Sequence, residues 1–169
     1  QLRGEIEIRS HKGEGTTFRI RLPLTLAIID GFQVSVGDAV FVIPLDMVVE
    51  CADMSADEGA KRLVSLRGEA LPFVRLREVF DLSDSRPGRE SLVVVEYGSQ
   101  RAGIVVDRLL GEFQAVIKPL GKLFSGVKGL SGSTILGDGA VALILDVPSL
   151  IALSSEARDS GLPLPVATA

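Results

Sequence analysis

The sequence predicts an all-β protein made of a pair of small barrels. Three observations carry that expectation. Short apolar stretches of strand length follow one another closely, punctuated by glycine-bearing turns. The second half loosely repeats the first: residues 37–47 (GDAVFVIPLDM) and 98–108 (GSQRAGIVVDR) align at a constant offset of 61, placing Gly37 on Gly98, Ile43 on Ile104 and Asp46 on Asp107. Further on, residues 68–74 (GEALPFV) match 139–145 (GAVALIL) in pattern at an offset of 71. Two like units suggest two similar β subdomains packed together rather than one catalytic cleft, which favours a binding module.

The elements follow in order. Residues 5–10 (EIEIRS) and 17–22 (TFRIRL) alternate as strands do, around the turn Lys12-Gly13-Glu14-Gly15. Two strands alone are marginal in water, so this hairpin is expected to belong to a sheet whose other strands lie upstream. Pro23 ends it, lacking the N–H a ladder needs. Residues 26–29 and 33–36 read as strands flanking Asp30-Gly31, and 40–43 follows the Gly37-Asp38 turn. Residues 47–51 continue as a strand or bend, and the polar stretch 52–61 reads as a loop. Residues 63–67 and 70–74 form a hairpin about Gly68-Glu69, and 76–80 reads as a helical turn. The polar run 82–90, with Pro87-Gly88, is the expected crossover between subdomains spanning about 23–85 and 90–150. The second unit offers strands at 92–97, 103–106, 115–118, 127–130, 134–136 and 141–145, with Gly137-Asp138-Gly139 as a tight turn. Residues 149–153 read as a short closing helix, and 154–169 as a tail that frays.

Composition limits the function. The chain has 169 residues, 46% hydrophobic and 24% charged, ordinary for a globular protein. A net charge of −4, one Tyr and no Trp argue against a nucleic-acid partner, which needs a basic face with stacking aromatics. The single Cys51 excludes an internal disulfide and, following an apolar strand, reads as a buried inert thiol. No apolar run reaches the ~18 residues of a membrane span, so no membrane insertion is expected and a cytoplasmic location is. The chain opens on Gln1 rather than Met and reads as a piece of a longer polypeptide.

No catalytic constellation is visible. Residues 12–18 lack the Gly-Lys-Ser/Thr of a phosphate loop and lead into a strand rather than a helix. His11, the lone histidine, reads as a surface turn residue rather than a phosphoacceptor. Asp46, Asp107, Asp138 and Asp146 read as turn and cap residues, since no metal-ligand spacing or nucleophile pairing accompanies them. No catalytic, cofactor or metal residue is assigned.

Two resemblances add to this reading. Residues 4–24, GEIEIRS then GEGTTFRIRLPL, resemble the last two strands of the ATP-binding domain in histidine kinases of the GHKL superfamily. The resemblance implies that the nucleotide boxes, with ATP and Mg, belong to upstream sequence, so residues 1–22 would be an incomplete remnant that binds no cofactor. From residue 22, LPLTLAIIDGFQVSVGDAVFVIPLDMVVE, and then RGEALPFVRLREVF, AGIVVDRLLGE and LSGSTILGDGAVALILDV, resemble the CheW-like regulatory domain of CheA-type chemotaxis histidine kinases, over about residues 23–153. That resemblance implies two tandem five-stranded SH3-like barrels in pseudo-twofold arrangement with short helices. It also implies docking to a CheW-type coupling protein through the barrel ends, and to chemoreceptor cytoplasmic tips near the groove between barrels. The domain would thereby sit in receptor arrays at the inner membrane and regulate autophosphorylation without chemistry of its own. The rival reading is a non-catalytic CheW-type scaffold or adaptor, which would lack the kinase hairpin. The partner surface is expected to use Met47, Val49 and the 52–61 loop with Met54 in the first unit, and Leu109, Leu110 and Phe113 in the second. The orphaned hairpin is expected to offer its edges to a second copy, giving a strand-mediated dimer.

Overall fold

The structure, a computed structural model, describes residues 5–11, 13, 15–21, 28–55, 62–82, 89–121 and 126–160. The expected loop at 56–61, the crossover at 83–88, the segment 22–27 with Pro23, and 161–169 of the tail lie outside the described residues. Strands β1 (Glu5–His11) and β2 (Gly15–Arg21) pair as an antiparallel sheet of their own. Glu7 receives Arg9 at 2.6 Å and Arg19 at 3.5 Å on one face. The cross-strand partners Ile8 and Phe18 stand exposed.

The remaining strands are β3 (Ile28–Val36), β4 (Ala39–Pro44), β5 (Val48–Ser55), β6 (Leu63–Leu66), β7 (Glu69–Arg75), β8 (Arg89–Tyr97), β9 (Gln100–Val106), β10 (Arg108–Val116), β11 (Leu130–Ile135) and β12 (Val141–Leu145). A 3-10 turn (Leu45–Met47) joins β4 to β5, α1 (Leu76–Val79) follows β7, and α2 (Val147–Ser160) follows β12. One five-stranded sheet has the order β10-β3-β4-β12-β11 and the other β5-β8-β9-β7-β6. The two orders are the same once each strand is replaced by its repeat counterpart. The matching extends to a parallel pair in each (β12 with β4, β7 with β9) and to a register shift in each outer pair, at 48/50 and at 109/111. Those shifts lie 61 residues apart, the offset of the sequence repeat. The fold is therefore two barrels related by an approximate twofold.

The barrels are not the sequential subdomains 23–85 and 90–150. Each repeat gives its first hairpin to one barrel and its last three strands to the other, so barrel one is β3, β4 and β10–β12 while barrel two is β5–β9. The chain crosses between barrels at the 3-10 turn and again at Asp107. Local patterns locate hairpins, but which hairpin joins which distant strand depends on packing of the whole.

Three apolar clusters follow from this layout. Val42, Ala142 and Ile144, with Ile29 and Phe113, fill barrel one. Met54, Leu71, Phe73, Leu92, Val94 and Val105 fill barrel two. The third and largest lies between barrels, where Val34, Phe41 and Ile43 meet Val74, Val93, Val95 and Ile104, joined by Leu150 and Ile151 of α2. Lys118 bridges to Ser133 beyond β10 and so draws the outer strands of barrel one together.

Several local expectations are corrected. Asp30-Gly31 is no turn; β3 runs straight through it, and Gly31 is there because a Cβ would collide with Val42. Strand β5 runs on through Ser55, so residues 52–55 pair with β8 instead of looping. Residues 127–129 form turn and coil rather than strand. The closing helix begins at Val147 and continues to Ser160, well into the expected tail. The turn at Arg67-Gly68 puts both residues at positive φ (51° and 88°), and Gly139 matches at 87°. Among the described residues no helix is long and apolar enough to cross a membrane.

Candidate protein-docking surface

The register shift in β5 leaves Val49 without a cross-strand partner, and that in β10 does the same for Leu110. A bulged residue is re-aimed out of the pleat. Val49 is accordingly 46% exposed and Leu110 49%. The two residues are repeat counterparts, so each barrel displays one aliphatic side chain at the matching edge position.

Around Val49 the mouth of barrel two opens into a cleft of about 690 Å³. Leu66, Ala70, Leu71, Pro72 and Val94 line it with Val49. Charged side chains form its rim. Arg67 in the β6–β7 turn reaches Glu50 on β5 at 2.7 Å, and Arg101 lies 3.3 Å from Glu96 and 4.0 Å from Glu69. An apolar floor within a charged border is the anatomy of a protein interface, where desolvation supplies affinity and the border supplies orientation. A second, smaller cleft of about 410 Å³, lined by Ile29, Asp30, Leu45 and Asp46, lies at the first crossover. Exposed aliphatic pairs also occur at Ile28–Val116 and Ile135–Val141 on barrel one.

The six expected contact residues separate clearly. Val49, Leu109 and Leu110 are exposed. Met47 is half-buried against the cluster between barrels, and Phe113 half-buried against the interior of barrel one. Met54 is a correction: it is 2% exposed within barrel two, because β5 extends past Cys51 and turns alternate residues inward. The same alternation turns Cys51 outward, so the thiol expected to be buried is exposed. Its environment still pushes the thiol up from its ordinary value, first by partial burial and then by the adjacent Glu50 carboxylate. The neutral thiol is a poor nucleophile, so no reactivity is gained by the exposure. Sequence reading missed Glu50, Leu66, Arg67 and Arg101; β5, the β6–β7 hairpin and β9 bring them to one mouth through long-range pairing, for which no local sequence signal exists.

Three of the four aspartates have structural roles, while Asp46 stands exposed in the 3-10 turn. Asp138 Oδ1 accepts the Ala140 N–H at 2.9 Å within its turn. Asp146 Oδ2 accepts the Ser149 hydroxyl at 2.6 Å at the start of α2. Asp107 binds the Arg77 guanidinium and the Gly37 N–H. His11 is exposed at the end of β1. Among the described residues no group of three or more His, Cys, Asp or Glu side chains could hold a metal.

Comparison with known proteins places this geometry. Residues 30–155 match the family model described as the CheW-like domain. The chain is 41% identical over 163 residues to the chemotaxis protein CheA of Klebsiella aerogenes, covering 92% of this chain and 25% of that one. It is 37% identical over 164 residues to the sensor histidine kinase CheAY of Helicobacter pylori (94% and 20%) and 36% over 156 residues to CheA of Bacillus subtilis (89% and 23%). The chain thus spans about a quarter of the length of the curated relatives it matches. Among solved structures, the scaffolding protein TtCheW from Thermoanaerobacter tengcongensis superposes with a TM-score of 0.54 at 16% identity, covering 70% of this chain and 88% of that one.

Proposed function

We propose a docking function from the premise that this chain belongs to the CheW-like domain family and resembles the domain as it occurs in CheA. In this reading it is the regulatory module of a chemotaxis histidine kinase. It binds a CheW-type coupling protein through its barrel mouths and chemoreceptor cytoplasmic tips beside the groove between barrels. It thereby holds the kinase in cytoplasmic arrays at the inner membrane and couples receptor state to autophosphorylation. The observation that supports it most is the pair of bulged aliphatic residues, Val49 and Leu110, one per barrel and related by the repeat. A module with two like faces can engage two neighbours at once, as a ring or lattice requires. Coupling then needs only a receptor state that shifts domain orientation by about 1–3 kcal/mol. The module itself performs no chemistry; ATP and Mg belong to the kinase that would carry it.

The rival is a free-standing scaffold of the CheW type, which has the same fold. Extent of similarity favours the kinase module: the CheA relatives align over 89–94% of the chain, beyond the 30–155 of the domain itself. The test is binding of the cognate coupling protein by Val49→Asp and Leu110→Asp variants, each compared with the parent for fold. Weakened binding with unchanged circular dichroism is expected. Unchanged binding by both folded variants would remove the assignment of these faces.

A further inference from the structure

The two crossovers between barrels are repeat counterparts but are built differently. At the first, Asp46 stands exposed in the 3-10 turn. At the second, Asp107 is drawn in and holds two segments at once. Its N–H donates to the Ser35 carbonyl at 3.0 Å, and its Oδ2 accepts the Gly37 N–H at 2.7 Å, both in the β3–β4 hairpin of barrel one. The buried Arg77 in α1, which follows β7 of barrel two, places Nη2 at 2.8 Å from Oδ1 and 2.6 Å from Oδ2 of the same carboxylate. At the offset of 71, the counterpart of Arg77 is Pro148, which has no donor to offer. The clamp therefore exists at one crossover and not at the other.

The largest contact between barrels among the described residues is an apolar cluster, whose attraction is non-directional and tolerates small rotations. The Arg77 contact is instead short and charge-assisted, with one nitrogen (Nη2) reaching both oxygens of the carboxylate, and it is directional where the cluster is not. We propose that the Arg77–Asp107–Gly37 clamp sets the relative orientation of the two barrels and is the point at which that orientation can be switched. Arg77 and Asp107 are positioning residues in this scheme. The clamp lies at the crossover, so releasing it leaves each barrel's own sheet and interior intact while freeing one against the other. A partner spanning both mouths would read the angle; that consequence rests on the docking reading, whereas the angle itself can be measured without any partner.

The experiment is pulsed electron paramagnetic resonance on the chain in a Cys51→Ser background. One spin-label pair spans the barrels (Ser65→Cys with Glu112→Cys), and a control pair lies within barrel one (Glu112→Cys with Ile135→Cys); all these positions are exposed. In Asp107→Asn the inter-barrel distance distribution is expected to widen about twofold or shift its centre, with the control pair unchanged. Arg77→Lys, which keeps the charge but replaces the planar guanidinium by a more compact ammonium, is expected to give a smaller change of the same kind, and it decides the matter if Asp107→Asn does not fold. An unchanged inter-barrel distribution overturns the proposal. So does equal widening of both pairs, which would make the clamp a general support rather than an orienting one.

Discussion

Glycine and its neighbours exchange places between the barrel interiors. In barrel one Gly31 on β3 faces Val42 on β4; at the offset of 61, in barrel two, Leu92 on β8 faces Gly103 on β9. A Cβ on Gly31 would strike Val42, which is stiff about χ1, and one on Gly103 would meet Leu92 and, at 3.0 Å, Phe73 Cβ. Gly31→Ala and Gly103→Ala are each expected to cost about 1–3 kcal/mol by chemical denaturation. Adding Val42→Ala to Gly31→Ala should recover part of that loss, and a strictly additive double variant would contradict the contact. Cys51 offers a second test at this scale. Because partial burial, and after it the Glu50 carboxylate, disfavours the thiolate, alkylation should be slow at neutral pH and rise at a higher pH than for a free peptide cysteine. Glu50→Gln removes the negative neighbour, so it should lower the thiol pKa and speed alkylation at fixed pH; no change would put the cause elsewhere.

Turns and hairpins were legible because their chemistry is local. Gly37, Gly98, Gly68 and Gly139 all take the positive φ that their turns require. Gly31 was misread as a turn because a glycine admitted for close approach carries the same letter as one admitted for φ. Met54 was misread because β5 was cut short at Cys51; period two, continued, places Ala52 and Met54 inside. Val49 and Leu110 are among the residues expected at the partner surface, but nothing local to either one marks the bulge that exposes it. The β1–β2 hairpin is the element whose role is least bounded by its own contacts, with Ile8 and Phe18 exposed and both edges unpaired among the described residues. If those edges join two copies, removing residues 1–22 converts a dimer to a monomer by light scattering, and an unchanged dimer refutes strand pairing.

Across the whole molecule, the exchange of strands between repeats makes the two barrels one cooperative unit. Neither repeat contains a complete barrel, since each sheet takes strands from both. A chain cut between residues 82 and 89 is expected to leave halves that are unfolded alone and regain β structure when mixed, seen by circular dichroism. A half that folds alone as a monomer would contradict the interlacing. This topology was invisible to sequence patterning, because the 61 and 71 offsets report that units are alike and not where their strands pair. The docking account is tested most directly by calorimetric titration of the chain with its cognate CheW-type coupling protein, with Mg-ATP as a parallel ligand. The account predicts saturable adaptor binding, about micromolar as suits a reversible signalling contact, weakened in Val49→Asp, with no heat from nucleotide; nucleotide binding without adaptor binding would contradict it.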